Sequence, residues 1–130
     1  MISHVHVGVT DFDRAFAFYS HVMDALGFPL KFCDRERPWA GWMPTAAARP
    51  LFLIGRPQDG EGAAPGNGQM VALLAPSRAA VDDCHRRALS GGGRDEGSPG
   101  LRTHYHRDYY GAYFRDPDGN KICVCCHDPE

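Results

Sequence analysis

The sequence has no run of about 18 apolar residues, so no membrane-spanning helix is expected. It also lacks a surplus of either charge: 14 Lys and Arg residues stand against 16 Asp and Glu residues. This balance disfavours binding to nucleic acid or to an anionic membrane surface. The N-terminus has no basic, apolar signal segment, and the five cysteines form no paired CxxC motifs. We therefore expect reduced thiols, a cytoplasmic location and no zinc ribbon.

The 130 residues suffice for one domain, and two similar series of predicted elements divide them. Alternating apolar residues predict a first strand over 2–9. A helix follows, with Thr10 as its expected N-cap and Gly27 as its stop. In the second series a strand over 69–75 precedes a helix that Ser77 caps and a triple glycine ends. Further strands complete each series.

A segment rich in glycine and proline separates the two series. We predict module 1 at about 1–55, a linker at about 56–68 and module 2 at about 69–130. Each module has the order βαβββ, in which one helix covers one face of a small sheet. Two such sheets can join edge to edge, with their other faces lining a shared groove. The predicted fold class is therefore α+β: two tandem βαβββ modules forming a curved, mixed β-sheet groove with helices outside.

Residues at both ends of the chain resemble the vicinal oxygen chelate superfamily. They are His-Val-His-Val-Gly-Val-Thr-Asp at 4–11 and Tyr-Phe-Arg-Asp-Pro-Asp-Gly-Asn-Lys-Ile at 113–122. That superfamily contains glyoxalases, bleomycin and fosfomycin resistance proteins, and extradiol dioxygenases. The resemblance covers nearly the whole chain, and it implies one glyoxalase/bleomycin-resistance-like domain that forms a homodimer.

The resemblance also implies a divalent ion held by a His on the first strand, a His opening module 2 and a Glu on the last strand. His4 matches the first position, but Met70 and Cys123 occupy the other two. A thioether is a poor ligand for a hard ion, and a thiolate suits Zn²⁺ or Cu⁺ rather than Mn²⁺, Fe²⁺ or Ni²⁺. We expect no cofactor; if one binds, zinc at His4 and Cys123 is more plausible than manganese, iron or nickel.

Three interpretations of the site remain open. The favoured one is a protein that binds a small organic molecule in the groove without the usual hard metal. The second is a lyase, isomerase or dioxygenase that acts on a small vicinal-oxygen substrate with an altered ligand set, and the third is a soft zinc or copper site. Candidate catalytic residues are His4 and Tyr113. The candidate ligand pocket comprises His4, His6, Trp42, Phe52, Met70, Tyr105, Tyr113 and Cys123.

Alternation assigns faces on the last strands of module 2. Ile122, Val124 and Cys126 point to the helix side, which places Cys123, Cys125 and His127 on the groove side; Tyr113 shares that side with Gly111. Two alternatives stay open elsewhere. The segment 97–110 is either a binding lid or an exposed hairpin or dimer contact, and Trp42 either walls the groove or packs in the core.

Overall fold

The computed structural model describes all 130 residues, Met1 to Glu130. Two helices and eight strands follow one another as two βαβββ modules, which confirms the predicted α+β class. The first module comprises β1 (His4–Gly8), α1 (Phe12–Leu26), β2 (Leu30–Asp34), β3 (Trp39–Trp42) and β4 (Leu51–Gly55). The second comprises β5 (Val71–Leu74), α2 (Arg78–Ser90), β6 (Arg94–Leu101), β7 (Tyr110–Arg115) and β8 (Lys121–Cys126). No helix or strand lies between β4 and β5.

Each module forms its own four-stranded sheet. The strand orders are β1-β4-β3-β2 and β5-β8-β7-β6. In both sheets the first strand lies at an edge and pairs in parallel with the last one, while the other pairs are antiparallel. The two sheets share no backbone ladder, so the expected joining edge to edge does not occur within the chain, and β1 and β5 each keep one free edge.

One hydrophobic core holds the modules together through their helices. Helix α1 packs on β3 and β4, α2 packs on β6, β7 and β8, and the two helices contact each other. Phe18 of α1 also meets Phe114 of β7, with ring centroids 6.0 Å apart. The core cluster draws 23 buried residues from both sheets and both helices. Because this core buries the helix-facing side of each sheet, the modules meet through their helices rather than through strand edges.

Local sequence explains where the helices begin and end. Asp11, not Thr10, is the N-cap of α1: its carboxylate accepts the Arg14 N–H at 3.1 Å. The Thr10 hydroxyl instead accepts the N–H of Ala63 in the linker. Gly27 ends the helix at φ 77°, a left-handed conformation that glycine adopts without a Cβ penalty. Ser77 caps α2 as predicted, and neither helix is long and apolar enough to cross a membrane.

The two faces of each sheet differ as strand alternation predicts. Ile122, Val124 and Cys126 belong to the core, whereas Cys123 and Cys125 are buried outside it, on the opposite face. Trp42 and Phe52 both lie in the core, where their ring centroids are 6.5 Å apart. Every residue of β4 is apolar and buried, so the sequence of that strand could not assign its faces.

Candidate ligand site on the second sheet

The face of the second sheet that turns away from the helices, here called the open face, carries a dense group of aromatic and polar side chains. Strand register places Tyr113 of β7 opposite Cys123 of β8. The turn after β6 then brings Tyr105 and Tyr109 over these strands. A cavity of about 560 Å³ lies there. It is lined by Asn67, Gly68, Gln69, Met70, Tyr105, Tyr109, Tyr113, Arg115 and Lys121.

Tyr109 is the centre of this group. Its hydroxyl oxygen lies 3.3 Å from that of Tyr113 and 3.5 Å from Cys123 Sγ. Its ring centroid lies 5.0 Å from that of Tyr105. A Cβ at Gly111 would come within 2.9 Å of the Tyr109 ring, so the glycine lets this ring lie against β7. The floor of the cavity is therefore a tyrosine that covers a buried thiol.

The two thiols of β8 have unequal acidities. Hydrogen bonding from Cys125, with further hydrogen bonds from Tyr109 and Tyr113, lowers the pKa of Cys123 to about 7 against the opposing effect of burial. The hydrogen bond to Cys123 and burial raise the pKa of Cys125. Burial also raises the pKa of Tyr109, which keeps its hydroxyl protonated and able to donate. We therefore expect Cys123 to be the more acidic of the two thiols.

We expect the Cys123 proton to be lost around pH 7, with neutral thiol below and thiolate above. The measurement is the ultraviolet absorbance of thiolate across about pH 5 to 9, taken as the difference between the parent and Cys123→Ser. The difference should show a step centred at about pH 7. Tyr109→Phe removes a donor to the thiolate and should move the step to higher pH.

Cys84→Ser is the matched control. Burial raises the pKa of Cys84 to about 12, so its loss should leave the absorbance curve unchanged over this range. An unaltered step in Cys123→Ser would show that another thiol ionises there.

Two histidines border the thiol pair. His106 Nε2 lies 2.8 Å from His127 Nδ1, and His127 Nε2 lies 3.6 Å from Cys125 Sγ. The ring of His127 also packs edge-on against Tyr109, at 5.2 Å between centroids. These contacts extend the polar network from Tyr113 to the end of β8.

The eight pocket candidates from the sequence do not gather in one place. Met70, Tyr105 and Tyr113 line the open-face cavity, and Cys123 lies fully buried below Tyr109. His6 and Met70 border a second cavity of about 460 Å³ beside the linker. Trp42, Phe52 and Met70 border an apolar crevice of about 510 Å³ near β5. His4 is exposed on β1, with its Nδ1 2.9 Å from Ser3 Oγ.

The segment 97–110, which the sequence left open as a lid or an exposed hairpin or dimer contact, divides into a strand and a turn. Residues 97–101 belong to β6, which pairs with β7, and 102–109 form the turn that carries Tyr105 and Tyr109. Tyr109 and Lys121 line the cavity, and the sequence did not single them out as pocket candidates. Tyr109 could have been found by its spacing, because residues 109, 111 and 113 share one face of an extended chain.

The residues at the implied metal positions do not fit a hard divalent ion. Of the three, only His4 offers a donor that a hard ion favours, because Met70 offers a thioether and Cys123 a thiol. No group of three or more His, Cys, Asp or Glu side chains in the chain could hold a metal ion. Hard ions such as Mn²⁺ favour oxygen and imidazole ligands. We therefore derive no chemistry through a metal.

Comparison with known proteins agrees with this fold. The family model of the Glyoxalase/Bleomycin resistance protein/Dioxygenase superfamily matches residues 1–124. A crystal structure of a glyoxalase/bleomycin resistance protein from Albidiferax ferrireducens T118 is similar at 34% identity and a TM-score of 0.86, covering 97% of this chain and 98% of that chain.

More distant structures share the fold alone. A glyoxalase-related enzyme from Fulvimarina pelagi is similar at 17% identity and a TM-score of 0.71, over 97% of this chain and 87% of that one. A glyoxalase/bleomycin resistance protein/dioxygenase family enzyme from Burkholderia phytofirmans PsJN is similar at 18% identity and a TM-score of 0.69. The match covers 97% of this chain and 98% of that chain. No curated protein matches significantly. From the family match and the relative at 34% identity, the chain belongs to the Glyoxalase/Bleomycin resistance protein/Dioxygenase superfamily.

Proposed function

We propose that this protein binds a small organic molecule in the open-face cavity and does so without a hard divalent ion. The observation that carries the proposal is the cavity of about 560 Å³ walled by Tyr105, Tyr109 and Tyr113. Its volume falls within the range of about 300 to 1,000 Å³ typical of small-molecule sites.

The tyrosines suit this role because each offers an apolar ring face and a hydroxyl. Tyr109 and Tyr113 hold each other by their hydroxyls, so their positions are set before a ligand arrives. Tyr105 is 62% exposed, and its ring packs against the rings of His104 and Tyr109. Its ring can therefore bury exposed apolar surface by covering a bound molecule.

An enzyme is the alternative: a lyase, isomerase or dioxygenase relative that acts on a small vicinal-oxygen substrate with an altered ligand set. The observation that favours catalysis is the position of the Cys123 thiol 3.5 Å from the Tyr109 hydroxyl, where hydrogen bonding lowers its pKa to about 7. A group with a pKa near the working pH is well matched to proton transfer. Turnover of a bound molecule that Cys123→Ser abolishes, while binding persists, would favour this alternative.

A ligand map by protein-observed NMR tests the binding proposal. A library of small organic acids, amides and phenols would be screened against the full chain with a metal chelator present. Binders should shift the amide signals of Tyr105, Tyr113 and Lys121 and lose affinity in Tyr113→Ser. Binders that instead shift only Val5, Phe52 and Leu73, which border the apolar crevice, would contradict the proposed site.

We also propose that the protein is a cytoplasmic homodimer. Five free cysteines support a reducing location. The free edges of β1 and β5 support a dimer, as do three exposed apolar side chains at the crevice: Ile2 at 53%, Met70 at 43% and Leu74 at 63%.

Light scattering of the purified chain measures the assembly directly. We expect twice the 14.3 kDa chain mass, and a shift towards the single mass in Leu74→Asp. Leu89→Asp, on the surface of α2, is the control that should leave the mass unchanged. A parent protein that is monomeric at all concentrations would contradict the dimer.

A further inference from the structure

Resting on the proposed function, we propose that the ligand of the open-face cavity is a planar organic anion, such as an aromatic carboxylate, held by Lys121 and stacked on Tyr105. Among the residues that line this cavity are two cations and no carboxylate. A cationic ligand would meet no counter-charge there, whereas an anion would meet at least one.

The two lining cations are not equivalent. Arg115 Nε lies 2.7 Å from Glu96 Oε1, and its Nη1 donates to the Gly119 carbonyl at 2.9 Å. Its charge is therefore already matched. Glu96 is close enough to Lys121 for the charge of that lysine to help lower its pKa, but its main partner is Arg115.

Lys121 is the lining cation left to a ligand. It forms no salt bridge, and its ammonium lies over the Tyr113 ring at 5.7 Å from the centroid. Lys121 is half-buried, so an ion pair there is screened less than one in open water. Lys121 is the first residue of β8, directly after the turn that ends at Asn120, and it lines the cavity.

A second unpaired cation strengthens the positive field. The Arg102 guanidinium lies 5.4 Å from the centroid of the same Tyr113 ring. It donates to the carbonyls of Gly100 and Ser98, at 2.9 and 2.8 Å, and has no carboxylate partner. Tyr113 is thus already flanked by cations, which leaves Tyr105, the exposed ring at the cavity wall, to stack with the ligand.

Calorimetry with a matched pair of probes tests this inference. The probes are naphthalene-2-carboxylate and its neutral counterpart naphthalene-2-carboxamide, titrated into the full chain with a chelator present. We expect the carboxylate to bind at least about tenfold more tightly than the amide. Lys121→Gln should remove that preference, while Tyr105→Ser should weaken both probes. Lys31→Gln, on exposed β2, changes the only other lysine of the chain and should keep the preference.

The outcomes separate this inference from the proposed function. Equal affinity of the two probes, with both mapping to the open face by NMR, would overturn the preference for an anion and leave the binding site standing. A carboxylate preference that survives in Lys121→Gln would overturn the role of Lys121. If neither probe binds, or both map to another surface, the inference fails and so does the site on which it rests.

Discussion

Replacing Asp116 with alanine should lower the free energy of unfolding by about 3 kcal/mol or more, since it breaks a buried polar network. Asp116 is 3% exposed and accepts hydrogen bonds from the Tyr19 hydroxyl at 2.6 Å and from Asn120 Nδ2 at 2.8 Å. Its Oδ1 also accepts the backbone N–H groups of Asp118 and Asn120, both at 2.9 Å. Alanine would leave the fully buried Tyr19 hydroxyl without a partner.

The same network links the two modules. Asn120 Nδ2 donates to the Gly8 carbonyl at 2.9 Å, and Asp118 Oδ1 accepts the Thr10 N–H at 3.0 Å. The turn between β7 and β8 is thereby fastened to the end of β1. Because Lys121 directly follows this turn, Asp116→Ala should also weaken ligand binding beyond its effect on stability.

Chemical denaturation monitored by circular dichroism measures the stability effect. Asp128→Ala removes an exposed carboxylate that forms no hydrogen bond or salt bridge, and it should change the free energy of unfolding by less than about 0.5 kcal/mol. The loss in free energy of unfolding caused by Tyr19→Phe should lie between the losses caused by Asp116→Ala and Asp128→Ala. Tyr19→Phe removes one of the four hydrogen bonds to the Asp116 side chain. If Asp116→Ala unfolds at the same denaturant concentration as Asp128→Ala, the network does not stabilise the fold.

The double substitution Met70→His with Cys123→Glu should create an affinity for Ni²⁺ or Mn²⁺ that the parent lacks. Ala72 of β5 pairs with Cys123 of β8, so position 70, two residues earlier, shares the face of position 123 on the neighbouring strand. An imidazole and a carboxylate would then replace a thioether and a thiol, which changes the donors from soft to hard. We expect the dissociation constant to fall at least about a hundredfold in a metal titration.

Met70→Leu with Cys123→Gln is the matched control, because it removes the same two sulfur atoms without adding an imidazole or a carboxylate. A similar gain in this control would show that the metal binds elsewhere. No gain in the His and Glu variant would mean that positions 70 and 123 do not face one common space.

Much of the fold follows from local patterns in the sequence. Alternation along 122–126 assigned the core face of β8, and Gly27 and Ser77 marked helix boundaries, because these signals depend on neighbouring residues alone. The N-cap was misplaced by one residue. Thr10 and Asp11 both have capping side chains, and the local sequence does not show that Thr10 contacts Ala63, 53 residues away, and Asp118 instead.

The arrangement of the two sheets could not be predicted in the same way. Each module has one apolar sheet face and one apolar helix stripe, and the sequence does not say whether a partner sheet or a partner helix covers them. The sequence was therefore compatible with Trp42 and Phe52 either in the wall of a groove or in the core. The structure places both in the core. The site around Tyr109 was incompletely predicted, since this residue precedes its strand and reaches Cys123 only through the pairing of β7 with β8.

We expect this superfamily member to bind its ligand without a hard divalent ion. Elemental analysis tests it most directly, on the full chain purified without a metal-affinity tag, incubated with manganese, iron, nickel and zinc, and then desalted. We predict far less than one metal ion per chain. One equivalent of manganese, iron or nickel per chain, lost in His4→Ala, would contradict this expectation.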